Sequence, residues 1–247
     1  MAEALPSADH WAIVPAAGIG VRMGADLPKQ YLPLAGAPVL VHTLERLAAH
    51  PRVAGIVLAL READPYWQAL GFTCAKPLQV VTGGASRGAS VLAALDWLAD
   101  RQQPQTPVLV HDAVRPLLHA GDIHSLCAEP LEEHGCLLAT PLTDTVKRAD
   151  AAGRVRETVP REGLWTVQTP QRFRLDVLRT ALGGALAADQ EPTDEAQAME
   201  SAGFRPRLLA GRRDNIKITV AQDLPLAECL LAAQARFDRP AQSTLET

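Results

Sequence analysis

Short apolar runs alternate with amphipathic stretches along most of the chain. Continuous apolar runs of strand length lie at 11–14, 53–60, 78–82, 107–110 and 136–140. Between them, apolar residues recur at helical spacing at 38–50, 63–70, 87–102 and 120–134. Strands that alternate with helices form a mostly parallel sheet covered on both faces, so the pattern predicts a single doubly wound α/β fold.

Residues 141–170 depart from this pattern. Apolar and polar residues alternate there on both sides of Gly153, which predicts a β-hairpin rather than another strand–helix unit. This hairpin is polar and would be marginal alone, so we expect another surface, most simply a second copy of the chain, to stabilise it. Beyond it, helices are predicted at 175–187, from Pro192 onward and at 224–235, and a last strand at 204–209.

The first predicted strand leads into a turn of small residues. A turn this bare lets backbone N–H groups come close to a ligand. Two cations flank it, and no acidic residue lies between Trp11 and Gly24. These features predict a polyphosphate site. Its members are Pro15, which ends the strand, then Ala16, Ala17, Gly18 and Gly20 in the turn, and Arg22 and Lys29 as the cations.

This turn fits neither of the common phosphate-binding fingerprints. It is not GxxxxGK[ST], and Met23 stands where the dinucleotide fingerprint requires a third small residue. A glycine-rich turn that serves only packing is therefore an open alternative. The broken fingerprint also argues against an NAD-dependent enzyme of the Rossmann type.

Ligands of such sheets bind at the carboxyl ends of the strands, so chemistry is expected just after each strand. After 78–82, Gly84 and Ser90 could offer groups to the edge of a base or simply form a strand-to-helix turn. After 107–110, Asp112 is placed to hold Mg²⁺, to orient a phosphate or ribose, or to cap the next turn. Arg115 could bind a substrate phosphate or pair with Asp112.

Two later positions have both a structural and a functional interpretation. Thr193 precedes a predicted helix and could be its N-cap. If residues 214–219 form a strand, Lys217 points away from Ile216 and Ile218, and a lysine on a rigid strand can bind a phosphate. An edge lysine in water is the alternative.

Composition narrows the class of protein. A hydrophobic content of 47% suits a real core, and a net charge of −4 gives no reason to expect nucleic acid as a partner. The four cysteines form no CxxC pair, which is typical of a reducing compartment. The first ten residues do not resemble a signal peptide, and no apolar run is long enough to span a membrane. We therefore expect a cytoplasmic protein.

The motifs at these strand ends resemble those of a known family. PAAGIGVRMG followed by PKQY is similar to the signature of sugar-phosphate nucleotidyltransferases, and in detail to that of the 2-C-methyl-D-erythritol 4-phosphate cytidylyltransferases of the non-mevalonate isoprenoid pathway. TGGASRGASV, HDAVRP, TVQTPQRF, TDEA and DNIKIT extend the resemblance over nearly the whole chain. It implies one domain over residues 1–247, of the nucleotide-diphospho-sugar transferase type. It also implies a projecting β-arm at about 142–166 that builds a homodimer and completes the neighbour's active site.

The resemblance further implies a reaction and roles for individual residues. CTP would donate CMP to 2-C-methyl-D-erythritol 4-phosphate, with release of pyrophosphate and with Mg²⁺ or another divalent cation as cofactor. Arg22 and Lys29 would stabilise the transition state, and Gly84 and Ser90 would bind the cytosine. The polyol phosphate would be bound by Thr145, Arg161, Thr169, Thr193 and Lys217. Family members often have a second basic residue at the position of Val21 and an acidic one at that of Ala85.

Two other functions stay open on the sequence. The acceptor could be another polyol phosphate, such as ribitol 5-phosphate, because both acceptors need a phosphate clamp and a few hydroxyl ligands. A non-catalytic nucleotide-binding regulator is the alternative from another class. Such a regulator is expected to lack Arg22, Lys29 or Asp112, and all three are present.

Overall fold

A computed structural model of the chain describes residues 9–18 and 27–237. Gly20 and Arg22, two of the predicted site residues, lie outside these ranges. The strands are β1 (His10–Pro15), β2 (Pro33–Leu34), β3 (Ala37–Pro38), β4 (Val53–Leu60), β5 (Leu78–Thr82), β6 (Pro107–Val110), β7 (Cys136–Pro141), β8 (Val146–Ala149), β9 (Val155–Val159), β10 (Trp165–Arg174) and β11 (Arg207–Ala210). The helices are α1 (Val39–Ala49), α2 (Pro65–Leu70), α3 (Arg87–Ala99), α4 (Ala120–Ala128), α5 (Leu175–Ala187), α6 (Glu195–Ser201) and α7 (Asp223–Phe237).

One sheet organises the described part of the chain. Its seven strands lie in the order β11-β7-β10-β6-β1-β4-β5. The pairs β6-β1, β1-β4, β4-β5 and β11-β7 are parallel, and β10 runs antiparallel to both of its neighbours. The predicted mostly parallel α/β sheet is therefore confirmed. The sequence did not predict β10 as a strand of this sheet, because its first residues were assigned to the hairpin.

Apolar side chains cover both faces of this sheet. On one face Val14, Leu44 and Leu58, all fully buried, belong to a cluster that includes residues of α1 and α4. On the other face Ile13 and Leu95 belong to a second cluster with residues of α3, α5 and α6. Successive residues of a strand point to opposite faces, so a continuous apolar run is what a doubly covered sheet requires.

Four predicted elements have the bounds expected from the sequence, and the others differ from them at one or both ends. The runs at 53–60, 78–82 and 107–110 are strands with those bounds, and 175–187 is a helix. The helix predicted at 120–134 ends at Ala128, because Pro130 follows and disfavours helical geometry at Glu129. The helix predicted from Pro192 begins at Glu195. The last strand begins at Arg207, where its N–H bonds the carbonyl of Gly135.

The predicted hairpin is present as a separate two-stranded sheet. β8 and β9 pair antiparallel, with Val146 opposite Val159. Gly153 in the connecting turn has a φ of +75°, which a side chain would disfavour. Nearly all of the hairpin is exposed, and Val155 is 65% exposed. A polar two-stranded sheet with this little burial is marginally stable by itself, and for this reason we expect another surface to support it. That supporting surface stays a prediction.

The strand considered at 214–219 is absent from the described residues. These residues form an irregular segment instead. Ile218 is fully buried and, with Ile216, packs near α7, while its N–H bonds the carbonyl of Val114. This segment therefore lies beside the cavity that Lys217 lines, and it is not an edge strand of the sheet. In the same described ranges, no helix is long and apolar enough to cross a bilayer.

A buried carboxyl on α4 predicts a pH-dependent stability. Burial raises the pKa of Asp122 to about 6 despite His119 and Arg212 nearby, and its Oδ2 is buried without a hydrogen-bond partner. A raised pKa favours folding while the group is protonated, and the stability declines as the pH rises towards 6. Asp122→Asn is therefore expected to raise Tm more at pH 8 than at pH 5 in thermal denaturation. An equal change at both pH values would contradict the prediction.

Candidate active site

A cavity of about 230 Å³ lies where three parallel strands end. β1 continues into the small-residue turn, β5 into the glycine-rich loop before α3, and β6 into the HDAVRP segment. Each of these connections contributes to the wall, as does the irregular segment after Asp214. The lining residues include Pro15, Ala16, Ala17, Gly18, Lys29, Gly84, Ser90, Asp112 and Lys217, all of which the sequence had singled out.

The small-residue turn is held in shape by a buried amide. Gln30, 3% exposed, donates from Nε2 to the carbonyls of Ala16 at 2.9 Å and Gly18 at 3.0 Å. These bonds fix the direction of two peptide groups that border the cavity. Lys29, in the same 3₁₀ turn, lines the cavity itself. Sequence reasoning missed Gln30, although it lies inside the PKQY motif.

The glycine-rich loop packs directly on the small-residue turn. A Cβ at Gly83 would come within 2.7 Å of the Ala17 Cβ, and one at Gly84 within 2.4 Å of the Ala89 Cβ. The Gly84 N–H donates to Ser90 Oγ at 3.1 Å, and Ser90 Oγ donates to the Ser86 carbonyl at 2.9 Å. The Gly84 N–H is therefore already used within the loop. A base can still come close to the backbone of this loop, and it can bond the polar groups that remain there.

Asp112 is the centre of a cluster of three cations. It is 6% exposed; its Oδ1 accepts from Arg87 Nε at 3.2 Å, and its Oδ2 from Arg115 Nε at 3.3 Å and Lys217 Nζ at 2.9 Å. Burial alone would raise the pKa of Asp112, but the charges of Arg87, Lys217 and Arg115 outweigh it and hold this pKa well below its usual range. The carboxylate is thus charged throughout the physiological range, and it does not cap the next turn.

A second layer fixes the backbone beneath this cluster. Thr169 Oγ1 accepts from the Asp112 N–H at 3.0 Å and lies 2.9 Å from His111 Nδ1. Burial lowers the pKa of His111 to about 4, so this imidazole is neutral at pH 7. Asn215 donates from Nδ2 to the backbone carbonyl of Thr169 at 2.9 Å, and the backbone carbonyl of Asn215 accepts from Arg115 Nη1 at 2.8 Å. Thr169 therefore supports Asp112 as well as forming part of the wall.

Two further cavities adjoin the first. One of about 140 Å³ shares Arg87, Asp112 and Lys217 with it and is also lined by Thr193 and Asp194. The other, of about 410 Å³, lies at the base of the hairpin. It shares Lys217 and Arg115 with the second and adds Thr143, Asp144, Asn215 and Arg213 among others. The cluster around Asp112 thus stands at the junction of three adjoining spaces.

Most of the predicted residues that the structure describes surround one of two cavities. The turn, Lys29, Gly84, Ser90 and Asp112 surround the first cavity, and Arg115, Thr169, Thr193 and Lys217 surround the second. Thr145 and Arg161 line none of the three cavities in the described chain. Arg161, which is exposed at the end of the hairpin, donates from Nη1 to the carbonyl of Thr143.

Two interpretations of single residues change with the structure. The N-cap of α6 is Asp194, whose carboxylate accepts from the Gln197 N–H at 2.9 Å, so Thr193 does not have the N-cap role that was one of its two interpretations. Thr193 instead lines the second cavity. Lys217 is bonded to Asp112 rather than standing in water at a sheet edge. Arg87 and Glu195, which form an ion pair here, were not among the predicted site residues.

The carboxylates near the first cavity suit a divalent cation that takes most of its ligands from the substrate and water. Within residues 9–18 and 27–237, no group of three or more His, Cys, Asp or Glu side chains is placed to hold a metal ion. Both oxygens of Asp112 already accept from cations. Mg²⁺ commonly takes most of its ligands from phosphate oxygens and water, with one or two carboxylates. The residues therefore fit an Mg²⁺ ion that arrives with a nucleotide, with Asp112 as the carboxylate that would hold it.

Comparisons with known proteins agree on one family. A family model described as 2-C-methyl-D-erythritol 4-phosphate cytidylyltransferase matches residues 10–233. The protein of that name from Halorhodospira halophila is 52% identical over 230 residues, which are 91% of this chain and 95% of its own. The Pseudomonas aeruginosa protein is 49% identical over 216 residues, 87% of this chain and 92% of its own. The solved structure of the Francisella tularensis protein has a TM-score of 0.75 at 32% identity and covers 90% of this chain and 99% of its own.

Proposed function

The chain belongs to the 2-C-methyl-D-erythritol 4-phosphate cytidylyltransferase family, and we propose that it transfers the CMP moiety of CTP to 2-C-methyl-D-erythritol 4-phosphate. The products are 4-diphosphocytidyl-2-C-methyl-D-erythritol and pyrophosphate. The observation that carries this proposal is the junction of the first two cavities. The first has the bare turn and Lys29, the second has Thr169 and Thr193, and the charged cluster of Arg87, Asp112 and Lys217 is common to both.

The arrangement suits a nucleophile that needs no general base. A phosphate monoester has a second pKa near 6, so its attacking oxygen is already ionised near neutral pH. In the described part of the chain, no histidine lines any of the three cavities. The work left to the protein is to position two phosphates and to offset their repulsion. Fixed cations aimed at the oxygens where charge develops achieve this.

The described residues supply that positive charge. Lys29 lies beside the turn that would hold the triphosphate, and Lys217 lies between the two cavities. Asp112 carries one negative charge against three cations, so it orients them and leaves these four groups with a net positive charge. We assign transition-state stabilisation to Lys29 and to Arg22, which lies outside the described residues. Phosphate binding in the acceptor cavity is assigned to Lys217 and Arg115.

A Mg²⁺ ion bound to the triphosphate is part of the proposal. It would neutralise charge on the phosphates of CTP and on the leaving pyrophosphate. The support is the donor set described above, in which Asp112 faces the nucleotide cavity. The protein would hold the nucleotide through the small-residue turn and through the glycine-rich loop before α3, here called the base loop, and its other residues would orient the acceptor.

We also propose a homodimer whose arms complete the neighbouring sites. The hairpin and its base expose Val155, Leu164, Trp165 and Val167, each at least 36% accessible, and such a group of apolar side chains usually has a partner. Thr145 and Arg161 would then contact the polyol phosphate in the partner's acceptor cavity. A cytoplasmic location is proposed as well, because all four cysteines are unpaired thiols, as expected in a reducing compartment.

A mixing experiment tests the composite site. Arg161→Ala impairs the arm and Lys217→Ala impairs the pocket, so each variant alone is expected to lose at least about tenfold in activity. In an equal mixture that has exchanged subunits, about half of the dimers are mixed, and each of these carries one intact site, which gives about a quarter of wild-type activity. Arg148→Ala, which removes an exposed ion pair within the hairpin, is the control. A mixture no more active than its components would show that each site lies within one chain.

The reaction itself is tested by pyrophosphate release. CTP with 2-C-methyl-D-erythritol 4-phosphate is expected to give the highest kcat/KM among the combinations of four nucleoside triphosphates with this acceptor and ribitol 5-phosphate. A clear preference for ribitol 5-phosphate would transfer the assignment to that acceptor. Nucleotide binding without turnover on either acceptor would favour a regulator.

A further inference from the structure

One ion pair joins the nucleotide side of the site to the acceptor side. Arg87 is the first residue of α3, and Glu195 is the first residue of α6. Arg87 Nη1 lies 2.6 Å from Glu195 Oε1, and Nη2 lies 3.1 Å from Oε2, which is a bidentate arrangement. The Nε of the same guanidinium donates to Asp112 Oδ1 at 3.2 Å. A single side chain therefore connects segments that are 108 residues apart in sequence.

The burial of Glu195 makes this connection energetically important. Its side chain is 0% exposed. A buried carboxylate is costly unless it is paired and hydrogen-bonded, and Arg87 supplies both. The planar fork of an arginine can serve two carboxylates with defined geometry, which a lysine cannot do. Arg87 is itself 29% exposed and lines both cavities.

The acceptor side of the pair carries predicted substrate contacts. Thr193 and Asp194, which line the second cavity, immediately precede Glu195. Gln171 of β10 holds the same segment from the sheet, since its Nε2 donates to Asp194 Oδ2 and its Oε1 accepts from the Ala196 N–H, both at 2.9 Å. Arg87 and Gln171 together therefore determine where residues 193 and 194 stand relative to Asp112.

On the nucleotide side, Arg87 directly follows the base loop in sequence. Ser86 caps α3 by accepting from the Ala89 N–H at 3.2 Å, and Ser90 in the first turn of α3 accepts from the Gly84 N–H. The start of α3 thus fixes the glycine-rich loop, and Arg87 extends from that same turn to α6. Displacement of the acceptor segment would change the approach of one phosphate to the other, and a misplacement of about 1 Å can reduce a rate by about 10².

We propose that Arg87 and Glu195 are positioning residues that set the acceptor cavity relative to the nucleotide cavity. This inference rests on the proposed function. Glu195 acts through Arg87 and through the start of α6, and it contacts neither substrate. Loss of the pair is expected to act mainly on the acceptor. Lys29 and the bonds that hold the small-residue turn and the glycine-rich loop do not involve Glu195, and Arg87→Lys keeps a positive charge at the nucleotide cavity.

Two variants test the pair, with the affinity for each substrate measured separately. Glu195→Gln removes the charge but keeps the shape, and Arg87→Lys keeps the charge but loses the fork, so the second stays informative if the first fails to fold. We expect kcat/KM for the acceptor to fall by about ten- to a hundredfold in both. The Kd for CTP alone, by calorimetry, should stay within about twofold. The control is Asp96→Asn, which removes an exposed α3–α5 ion pair with Arg179 and should change neither.

The outcomes separate this inference from the proposed function. Equal losses in CTP binding and acceptor use, or no loss in either, would overturn the positioning role. If the wild-type chain released no pyrophosphate, the proposed function would fail. The pair would then be judged by the Kd of 2-C-methyl-D-erythritol 4-phosphate in the presence of CTP, which both variants should raise by about tenfold or more. A wild-type chain that does not bind this acceptor would contradict both proposals.

Discussion

Lys29→Ala is expected to lower kcat by about two orders of magnitude or more, because a preorganised cation is lost from the place where charge develops on the transferring phosphoryl group. CTP should still bind measurably, since the small-residue turn, held by Gln30, and the base loop are unchanged. Steady-state kinetics and calorimetry with CTP provide the two measurements. The same result is expected for Arg22→Ala on the basis of the sequence.

A matched control is available on the same chain. Lys76, in the loop before β5, lines none of the three cavities among the described residues. Lys76→Ala should therefore leave kcat and the CTP affinity within about twofold of wild type. If Lys29→Ala and Arg22→Ala both turned over at near wild-type rates, the two cations would have no part in the chemistry.

Asp112→Asn is expected to reduce kcat/KM by about 10² or more, because three cations lose the carboxylate that orients them. Removing one partner of a buried ion pair typically costs about 3–5 kcal/mol, so Tm should also fall. Phosphates of a bound nucleotide restore negative charge beside the cations. CTP is therefore expected to raise the Tm of this variant more than that of the wild type.

The pH dependence of this variant has a definite sign. A depressed pKa in the folded state gives a stabilisation that is complete above the unfolded pKa of about 4 and is lost only as the pH falls through the folded value. The Tm difference between wild type and Asp112→Asn should therefore be constant from pH 6 to pH 9. A difference that grew steadily over this range would mean that another group titrates with the cluster.

The sequence pattern was most informative where structure is local. A continuous apolar run with polar ends predicts a doubly covered strand, as at 53–60, because burial on both faces leaves no polar position. The small-residue turn and Asp112 could be located because parallel strands deliver their following residues to one edge of the sheet. The fold class and the nucleotide half of the site follow from these two arguments.

What could not be predicted depends on contacts between distant segments. β10 lies in the sheet between β6 and β7, although its first residues follow a hairpin pattern. This could not be predicted, because the alternation of apolar and polar residues in one strand does not show which strands it pairs with. The Arg87–Glu195 pair joins two helix starts, and each residue taken alone has the pattern of a solvated helix charge. Lys217 reaches Asp112 from a segment without strand geometry, held by Asn215 and by the burial of Ile218.

A crystal structure with CTP and Mg²⁺ bound measures most directly where the triphosphate lies in the site. We expect the triphosphate to lie against the backbone of residues 15–18, with Lys29 directed at the α-phosphoryl group and Lys217 beside the empty acceptor cavity. CTP bound away from that turn, or Lys29 directed away from the α-phosphorus, would contradict the proposed site and the role of Lys29.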